Sequence, residues 1–368
     1  MKIAFYAPLK SPDHHKPSGD RQMARALIKA LEMAGHEVRI VSHIRSFSKT
    51  PHSQSQIDQI KSEADNVTRE TKKWGAQVWF SYHPYYKAPD FIGLQVSQAL
   101  GLTIITAEAS LAKKRNDGEW AESQSHVVSL LKQSSANFYF TDRDFEGLKG
   151  TVEPSKLIYL PPFIQVDDSS AAHATNNNQR QTSFASMGQV SLVTMGMMRG
   201  GVKSQSYQFL AQALGQLKQS NWHLSIIGDG SYRREVEGYF SGFADHQITW
   251  LGELAPKDVT KELATHDVFL WPGFGEAYGL AYLEAQSCGL PVIGLKTHGV
   301  PWVVKDGKTG ILIEPDKLET YVTAIEKLLL DTDLRERMST QARKFVHAER
   351  SLKSASTLID NVIRQVDD

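Results

Sequence analysis

The stretch PGFGEAYGLAYLEAQSCGLP, from Pro272 to Pro291, decides the fold of this chain. The preceding residues, DVFLWP, have the composition of a short buried strand, and a glycine-rich loop and a helical run follow them. Glu276 and Glu284 stand eight residues apart, so a helix that begins near Glu276 would place both carboxylates on roughly one face. A helix N-terminus offers backbone N–H groups to an anion, beside acceptors for hydroxyl groups. A ligand with both phosphate and polyol groups, such as a nucleotide sugar, fits this arrangement.

The composition is that of an ordinary globular chain. Its 368 residues suffice for two domains, and equal numbers of basic and acidic residues, 41 each, give no indication of a nucleic-acid partner. The single cysteine, Cys288, excludes an internal disulfide and fits a reducing compartment. No apolar run approaches the ~20 residues of a membrane span, and the first one is too short for a signal peptide. We therefore expect a cytoplasmic protein, and peripheral contact with a membrane surface stays open.

Strand and helix patterns alternate along the whole chain, which predicts parallel sheets built from βαβ units. The alternation is interrupted by a polar stretch with few apolar anchors and restarts with a strand at Leu192–Met198. The expected fold class is α/β, with two doubly wound Rossmann-like domains that face each other across a ligand-binding cleft. The predicted divisions are an N-terminal domain over 1–165, a linker or mobile loop over 166–189 and a C-terminal domain over 190–349.

Cations follow the first strand of the second half. The sequence MMRGGVKS places Arg199 and Lys203 between that strand and a helix that we expect at Tyr207–Leu217. Two fixed cations and helix N-terminal amides would neutralise a diphosphate. The alternative is a solvated polar turn, since basic residues are common in loops, but the neighbouring Glu276 and Glu284 favour the phosphate site.

Two other glycine-containing loops give weaker indications. Gly19, in PSGDR, would let the backbone approach a ligand at the mouth of the first helix, and the alternative for Asp20 is that it is no more than the helix cap. The pattern G-x-G-x-x-G is absent there, which argues against a dinucleotide-dependent dehydrogenase. Gly228-Asp229-Gly230 is expected to be a tight strand–helix turn in which Asp229 caps the helix.

His83 lies in an aromatic surrounding formed by Trp79, Tyr82, Tyr85 and Tyr86. These rings could stack on a sugar or lipid acceptor, and partial burial in the core is an equally good interpretation. The sequence has no H-x-x-x-H pair and no cysteine cluster, so we expect no protein-held metal. The fixed cations would replace the metal.

The second half resembles the GT-B retaining glycosyltransferases of family 4, the glycosyl transferases group 1. The blocks that carry the resemblance are IIGDGSYRREVE, ITWLGEL, THDVFLWPGFGEAYGLAYLEAQSCGLPVIG and GVPWVVKDGKTGILIEPD. They occur in the family's order and spacing and cover about residues 190–345. The first half resembles the family's acceptor domain only loosely.

The resemblance implies a retaining, metal-independent transfer of a hexose-type sugar, without a cofactor, from a nucleotide diphosphate sugar to a hydroxyl acceptor on a carbohydrate, lipid or protein. It implies that Glu276 contacts the donor sugar, Glu284 the ribose diol and Lys203 the diphosphate. Arg199 is a shifted match, because the family's usual spacing places its arginine nearer to Met197. The other implied donor-binding residues are Gly19, Gly275, Ala277, Tyr278, Gly279 and Leu280.

The acceptor side departs from the family. A histidine is often found at the end of the fourth N-terminal strand, where this chain has TAEAS with Glu108, so Glu108 and His83 are the candidate acceptor residues. The last segment, 350–368, would cross back to the N-terminal domain. Two alternatives stay open: a non-catalytic protein that binds a nucleotide sugar, and a GT-B sugar-nucleotide epimerase.

Overall fold

The computed structural model describes residues 1–16, 18–166 and 188–367, and these form two units. The N-terminal unit comprises Met1–Pro161 with Leu352–Asp368, and the C-terminal unit comprises Pro162–Ser351. Most of the stretch 166–189, interpreted above as a linker or mobile loop, lies outside the described residues. Among the described helices, none combines the length and the apolar character needed to cross a bilayer.

The described residues of the N-terminal unit form one parallel six-stranded sheet with helices around it. The strands are β1 (Lys2–Tyr6), β2 (Glu37–Ile40), β3 (Val78–Tyr82), β4 (Thr103–Ala107), β5 (Ala136–Tyr139) and β6 (Leu157–Tyr159). The helices are α1 (Gly19–Met33), α2 (Gln54–Trp74), α3 (Gly93–Leu100), α4 (Ala121–Gln133), α5 (Asp142–Leu148) and the C-terminal helix (Leu352–Asp367). The strand order is β2-β1-β3-β4-β5-β6, so the chain switches direction across the sheet between β1 and β3.

Helix α1 positions the first loop of this sheet. Its N-cap is Ser18, whose Oγ accepts a hydrogen bond from the N–H of Arg21, so the alternative that Asp20 caps the helix is wrong. Burial of one face holds α1 in place, through Met23, Ala24, Leu27, Ala30 and Leu31. The C-terminal helix packs against α1, and Asp360 on it lies 3.1 Å from Nε2 of the buried His36.

The described residues of the C-terminal unit form a second parallel six-stranded sheet. The strands are β7 (Val190–Met195), β8 (Trp222–Ile227), β9 (Ile248–Gly252), β10 (Val268–Leu270), β11 (Val292–Leu295) and β12 (Gly310–Ile313). The helices are α6 (Val202–Leu214), α7 (Arg233–Tyr239), α8 (Pro256–Leu263), α9 (Leu280–Ser287), α10 (Val300–Val303), α11 (Leu318–Leu330) and α12 (Thr332–Glu349). The order β12-β11-β10-β7-β8-β9 puts the switch point between β7 and β10.

These two sheets confirm the predicted α/β class with two doubly wound sheets. Two boundaries were wrong. The strand expected at Leu192–Met198 ends at Met195, because the chain leaves the sheet at Gly196. The next helix begins at Val202, five residues before the expected Tyr207, because its first turn is polar and shows no apolar period.

The Gly228-Asp229-Gly230 turn presses directly against the loop after β7. Gly228 has a φ of 135°, and a Cβ atom there would overlap the carbonyl oxygen of Gly196. Asp229 does not cap α7, as expected above, because its carboxylate accepts from the N–H of Gly230 and pairs with Arg233. The turn therefore sets the distance between two strand-end loops, and glycine is required for that.

We expect Gly228→Ala to destabilise the C-terminal unit by more than about 2 kcal/mol, because the side chain adds backbone strain and a clash with Gly196. The matched control is Gly242→Ala, since a Cβ at Gly242 would meet nothing within 4 Å, and its effect should stay within about 0.5 kcal/mol. Urea unfolding of both variants measures the two effects. Equal stabilities of the two variants would show that the close approach between Gly228 and Gly196 does not constrain the fold.

Candidate active site

Two strand-end loops meet at the switch point of the C-terminal sheet. One follows β7 and leads into α6, and the other follows β10 and leads into α9. The backbone N–H of Phe274 donates to Oγ of Ser206 over 3.1 Å, and the Cα of Gly275 faces the side chain of Val202. The first turn of α6 is thereby fixed against the glycine loop. Ligands of doubly wound sheets bind at such a point.

Lys203 and Glu276 form an ion pair at this switch point. Their side chains are only 24% and 14% exposed, so the pair is partly withdrawn from water. The indole N–H of Trp271 donates to Oε1 of Glu276 over 2.9 Å, and Nζ of Lys203 binds the same oxygen. The Lys203 ammonium also lies 5.2 Å from the centre of the Trp271 ring, within range of a cation–π interaction. Within the described residues, both hydrogen bonds on this carboxylate fall on Oε1.

The sequence indicates Trp271 only as the end of a buried strand and does not predict it as a site residue. It follows β10 directly and is 1% exposed. A buried indole N–H requires a hydrogen-bond acceptor. The sequence signal that could have identified Trp271 is its position at the carboxyl end of a strand, five residues before Glu276.

The glycine loop between Trp271 and α9 takes a left-handed backbone. Gly279, the residue before α9, has a φ of 70°, and a Cβ there would come 2.5 Å from the ring of Tyr282. Gly275 and Ala277 are exposed, while Tyr278 and Leu280 are half-buried. The loop therefore presents backbone at the N-terminus of an eight-residue helix, where amides lack intrahelical acceptors.

The remaining predicted donor residues of this unit are placed differently. Glu284 lies half-buried on α9, within the second helical turn. Arg199 is exposed in the loop after β7, and its guanidinium makes no ion pair or side-chain hydrogen bond with the residues that the structure describes. The structure thus joins Lys203 to Glu276 and leaves Arg199 apart from both.

A second cluster lies at the switch point of the N-terminal sheet. His83 follows β3 and Glu108 follows β4, while Asp20 comes from the first turn of α1. Nδ1 of His83 is 3.3 Å from Oδ1 of Asp20 and 3.6 Å from Oε1 of Glu108. The hydroxyl of Tyr82 donates to Oε2 of Glu108 over 2.7 Å. Gly19, next to Asp20, is exposed, and neither its φ nor its packing requires glycine.

The backbone of this cluster is strained. His83 and Glu108 have φ angles of 59° and 56°, a left-handed conformation that side chains other than glycine rarely adopt. Such a conformation costs on the order of 1 kcal/mol or more and persists where the surrounding structure holds it, often at functional sites. Here the N–H of His83 donates to the carbonyl of Ala107 and the N–H of Glu108 to that of Phe138. The two strained residues are thus fixed at neighbouring strand ends.

The charges of the cluster depend on one another. Burial raises the pKa of Glu108 to about 7, although His83 opposes the shift. For His83, burial disfavours the charged ring, but the attraction of Glu108 and Asp20 outweighs it and raises the pKa to about 9. At neutral pH the ring is therefore an imidazolium, and the ionised carboxylate of Asp20 lies beside it.

The aromatic surrounding of His83 divides into two parts. Trp79 is fully buried and donates its N–H to Asp90, and Tyr82 is 1% exposed. Tyr85 and Tyr86 are half-buried, and the Tyr85 ring centre lies 5.5 Å from that of His83. Only Tyr85 and Tyr86 are thus accessible to a ligand, and the other two rings belong to the core. Over 1–16, 18–166 and 188–367, no cluster of three His, Cys, Asp or Glu side chains could hold a metal ion.

Residues 189–331 match the family of glycosyl transferases group 1. The chain is 33% identical over 142 residues to the sulfoquinovosyl transferase SQD2 of Arabidopsis thaliana, which covers 38% of this chain and 27% of the plant protein. It is 32% identical over 135 residues to a GDP-mannose-dependent alpha-(1-6)-phosphatidylinositol monomannoside mannosyltransferase of Mycobacterium tuberculosis. This aligned region covers 34% of this chain and 35% of the mycobacterial protein. The matched region spans about a quarter to a third of these curated relatives.

The solved structure of HepE from Anabaena in complex with UDP is similar in fold over the whole chain. Its TM-score is 0.75 at 15% sequence identity, and the match covers 99% of this chain and 100% of HepE. The predicted GT-B fold class is confirmed by this likeness. The family match over 189–331 confirms the resemblance inferred from the linked sequence blocks.

The N-terminal cluster predicts a dependence of stability on pH. Glu108 and His83 both bind a proton more tightly in the folded chain, since their pKa values are raised from 4.5 to about 7 and from 6.5 to about 9. Their contribution to stability is full at low pH and is lost as the pH rises through these two ranges. The measured quantity is the unfolding free energy of the wild type minus that of the double variant Glu108→Gln/His83→Gln. We expect this difference to decrease as the pH rises from about 5 to about 9.

Denaturant titrations at a series of pH values, followed by tryptophan fluorescence, measure this difference. The matched control, Glu146→Gln/His15→Gln, removes one carboxylate and one imidazole from exposed positions of the same unit and should not show the fall. A difference that rises with pH would contradict the assigned charges.

Proposed function

We propose that this chain, which belongs through residues 189–331 to the glycosyl transferases group 1, is a retaining hexosyltransferase that uses a nucleotide diphosphate sugar and a hydroxyl acceptor. The observation that carries the proposal is the pairing of Lys203 with Glu276 at the C-terminal switch point. A cation for phosphate and a carboxylate for sugar hydroxyls stand there side by side. The exposed glycine loop and the N-terminus of α9 add amides for a second set of phosphate oxygens.

In the proposed complex the diphosphate takes Lys203 from Glu276. The diphosphate carries more negative charge than a carboxylate, so its oxygens attract the Lys203 ammonium more strongly. In addition, the Glu276 carboxylate must accept hydrogen bonds from the sugar. Glu276 then accepts hydrogen bonds from the sugar hydroxyls, and Glu284 accepts from the ribose diol. Arg199 has no competing ion pair among the described residues, so its long side chain is available to the leaving diphosphate.

The proposed reaction exchanges one bond at the anomeric carbon for another on the same face. The bond from the anomeric carbon to the phosphate oxygen breaks, and the bonding pair leaves with the nucleoside diphosphate. The acceptor oxygen forms the new glycosidic bond, and its proton goes to the departing phosphate oxygen. Lys203 and the loop amides stabilise the charge that develops on the diphosphate, which is the role that a metal ion would otherwise have.

For the acceptor, we propose the N-terminal cluster. The ring of His83 is half-buried, and its Nδ1 atom faces Asp20 and is buried. The exposed part of the ring therefore consists of other atoms. A charged imidazole beside the half-buried rings of Tyr85 and Tyr86 offers a donor and an apolar surface, which suits the hydroxyl and ring face of a carbohydrate. The proposal includes a cytoplasmic location and a sugar, lipid or protein acceptor, and it leaves peripheral membrane contact open.

A non-catalytic binding protein is the second candidate, and one observation favours it. Met197 stands where the family's usual spacing puts an arginine, and its side chain is 36% exposed. A site with one phosphate-binding lysine and no second engaged cation would bind a donor but stabilise its departure poorly. Product analysis decides between the candidates and also detects an epimerase, which would release an altered nucleotide sugar without any acceptor.

We expect a single nucleoside diphosphate to raise the thermal unfolding midpoint more than the others, because ligand binding to the folded state stabilises it in proportion to affinity. UDP and GDP are the first to compare, since HepE was solved with UDP and the mycobacterial relative is named for GDP-mannose. Differential scanning fluorimetry with UDP, GDP and ADP measures the shifts. The absence of a shift with any of the three would contradict a nucleotide site.

Glu276→Ala, Glu284→Ala and Lys203→Ala should each lower kcat/KM for transfer by at least about a hundredfold, because each removes a charged contact to the donor. A radiolabelled-donor assay measures the rates, and circular dichroism checks that each variant is folded. Lys261→Ala removes a lysine of the same unit whose side chain is 78% exposed, and its rate should match the wild type. Wild-type turnover in all three site variants would refute the assignment.

A further inference from the structure

Trp271 is among the most tightly fixed side chains around the C-terminal switch point. The edge of its ring fills the space beside Gly196, where a Cβ atom would come within 2.9 Å of the indole. Tyr207 packs against the ring at 5.0 Å in a T-shaped contact. The carbonyl of Trp271 accepts the hydroxyl hydrogen bond of the buried Tyr282 over 2.7 Å. Contacts to its ring and to its backbone therefore hold Trp271, which is 1% exposed.

The two donors on Oε1 of Glu276 differ in mobility. Lys203 reaches the oxygen through a flexible four-carbon stem and is 24% exposed, so a ligand can attract its ammonium elsewhere. The indole N–H of Trp271 cannot follow, because the buried ring packs against Tyr207 and beside Gly196. When a diphosphate engages Lys203, the carboxylate would keep only the hydrogen bond from Trp271.

We propose that Trp271 is a positioning residue that fixes the sugar-binding carboxylate while Lys203 changes partners. Its N–H holds Oε1 of Glu276 in place throughout, and the carboxylate presents Oε2 to a hydroxyl of the donor sugar. This inference rests on the function proposed above. It adds that recognition of the sugar and recognition of the diphosphate are carried by separate contacts, with Trp271 serving only the first.

The separation gives a measurable difference between two ligands. A hydrogen bond to a charged acceptor is a strong one, and a carboxylate without it would sample several orientations before it meets the sugar. Trp271→Phe keeps an aromatic ring beside Lys203 but removes the N–H. We expect the Kd of the nucleotide sugar to rise about tenfold in this variant, whereas the Kd of the nucleoside diphosphate alone should change less than twofold.

Isothermal titration calorimetry with UDP and UDP-glucose, or the GDP pair if the guanine nucleotide is preferred, measures these constants. The matched control is Trp222→Phe. Trp222 lies in the same unit at 2% exposure and donates its N–H over 3.0 Å to the carbonyl of Gln219, away from Glu276. This variant should bind both ligands as the wild type does.

A double-mutant cycle tests whether Trp271 acts through the carboxylate. In a Glu276→Ala background, Trp271→Phe should cause no further loss of sugar-nucleotide affinity, because the acceptor of the indole hydrogen bond is gone. Full additivity of the two losses would overturn the inference. If Trp271→Phe does not fold, replacement of Trp271 by benzothienylalanine keeps the shape of the ring without the N–H, and the same two constants are measured.

The outcomes separate this inference from the function on which it rests. Equal weakening of both ligands by Trp271→Phe would show a general structural role, and unchanged binding of both would show that Glu276 needs no such support. Either result overturns the positioning role while the wild type still binds its donor. A wild type that binds neither nucleotide nor nucleotide sugar refutes the proposed function itself, and the inference with it.

Discussion

The ion pair between Lys203 and Glu276 is the interaction on which this account of the C-terminal unit depends. Both side chains are partly withdrawn from water, and the indole of Trp271 is hydrogen-bonded to the same carboxylate oxygen. A charge pair in such a place is maintained by its surroundings, because each ion alone would be poorly solvated. A ligand that brings its own negative charge and its own hydroxyl groups can replace both halves of the pair at once.

Topology explains why chemistry-bearing residues collect at two places. In each sheet the chain reverses its direction of travel at one point, between β7 and β10 in the C-terminal unit and between β1 and β3 in the N-terminal unit. Ligands of doubly wound sheets bind at such a point, in the crevice outside the carboxyl ends of the strands. The Lys203–Glu276 pair occupies the first of these points, and the cluster of His83, Asp20 and Glu108 occupies the second.

Much of the candidate site followed from the sequence, because glycine loops and charged residues at strand ends are local signals. Glu276 and Lys203 were both found in this way, and the structure joins them. Trp271 and the pairing of Asp20 with His83 were missed, since they depend on which loops the sheet order brings together. Asp20 resembles a helix cap in sequence, but Ser18 takes that place and frees the carboxylate for His83.

A structure of the chain soaked with its nucleotide sugar tests the central claim most directly. The distances to measure are those from Nζ of Lys203 to the nearest phosphate oxygen and from Glu276 to the nearest sugar hydroxyl. The account predicts that Lys203 has left Glu276 for the diphosphate and that Glu276, still bound to the indole N–H, accepts from the sugar. A donor bound elsewhere, with the Lys203–Glu276 pair intact, would contradict it.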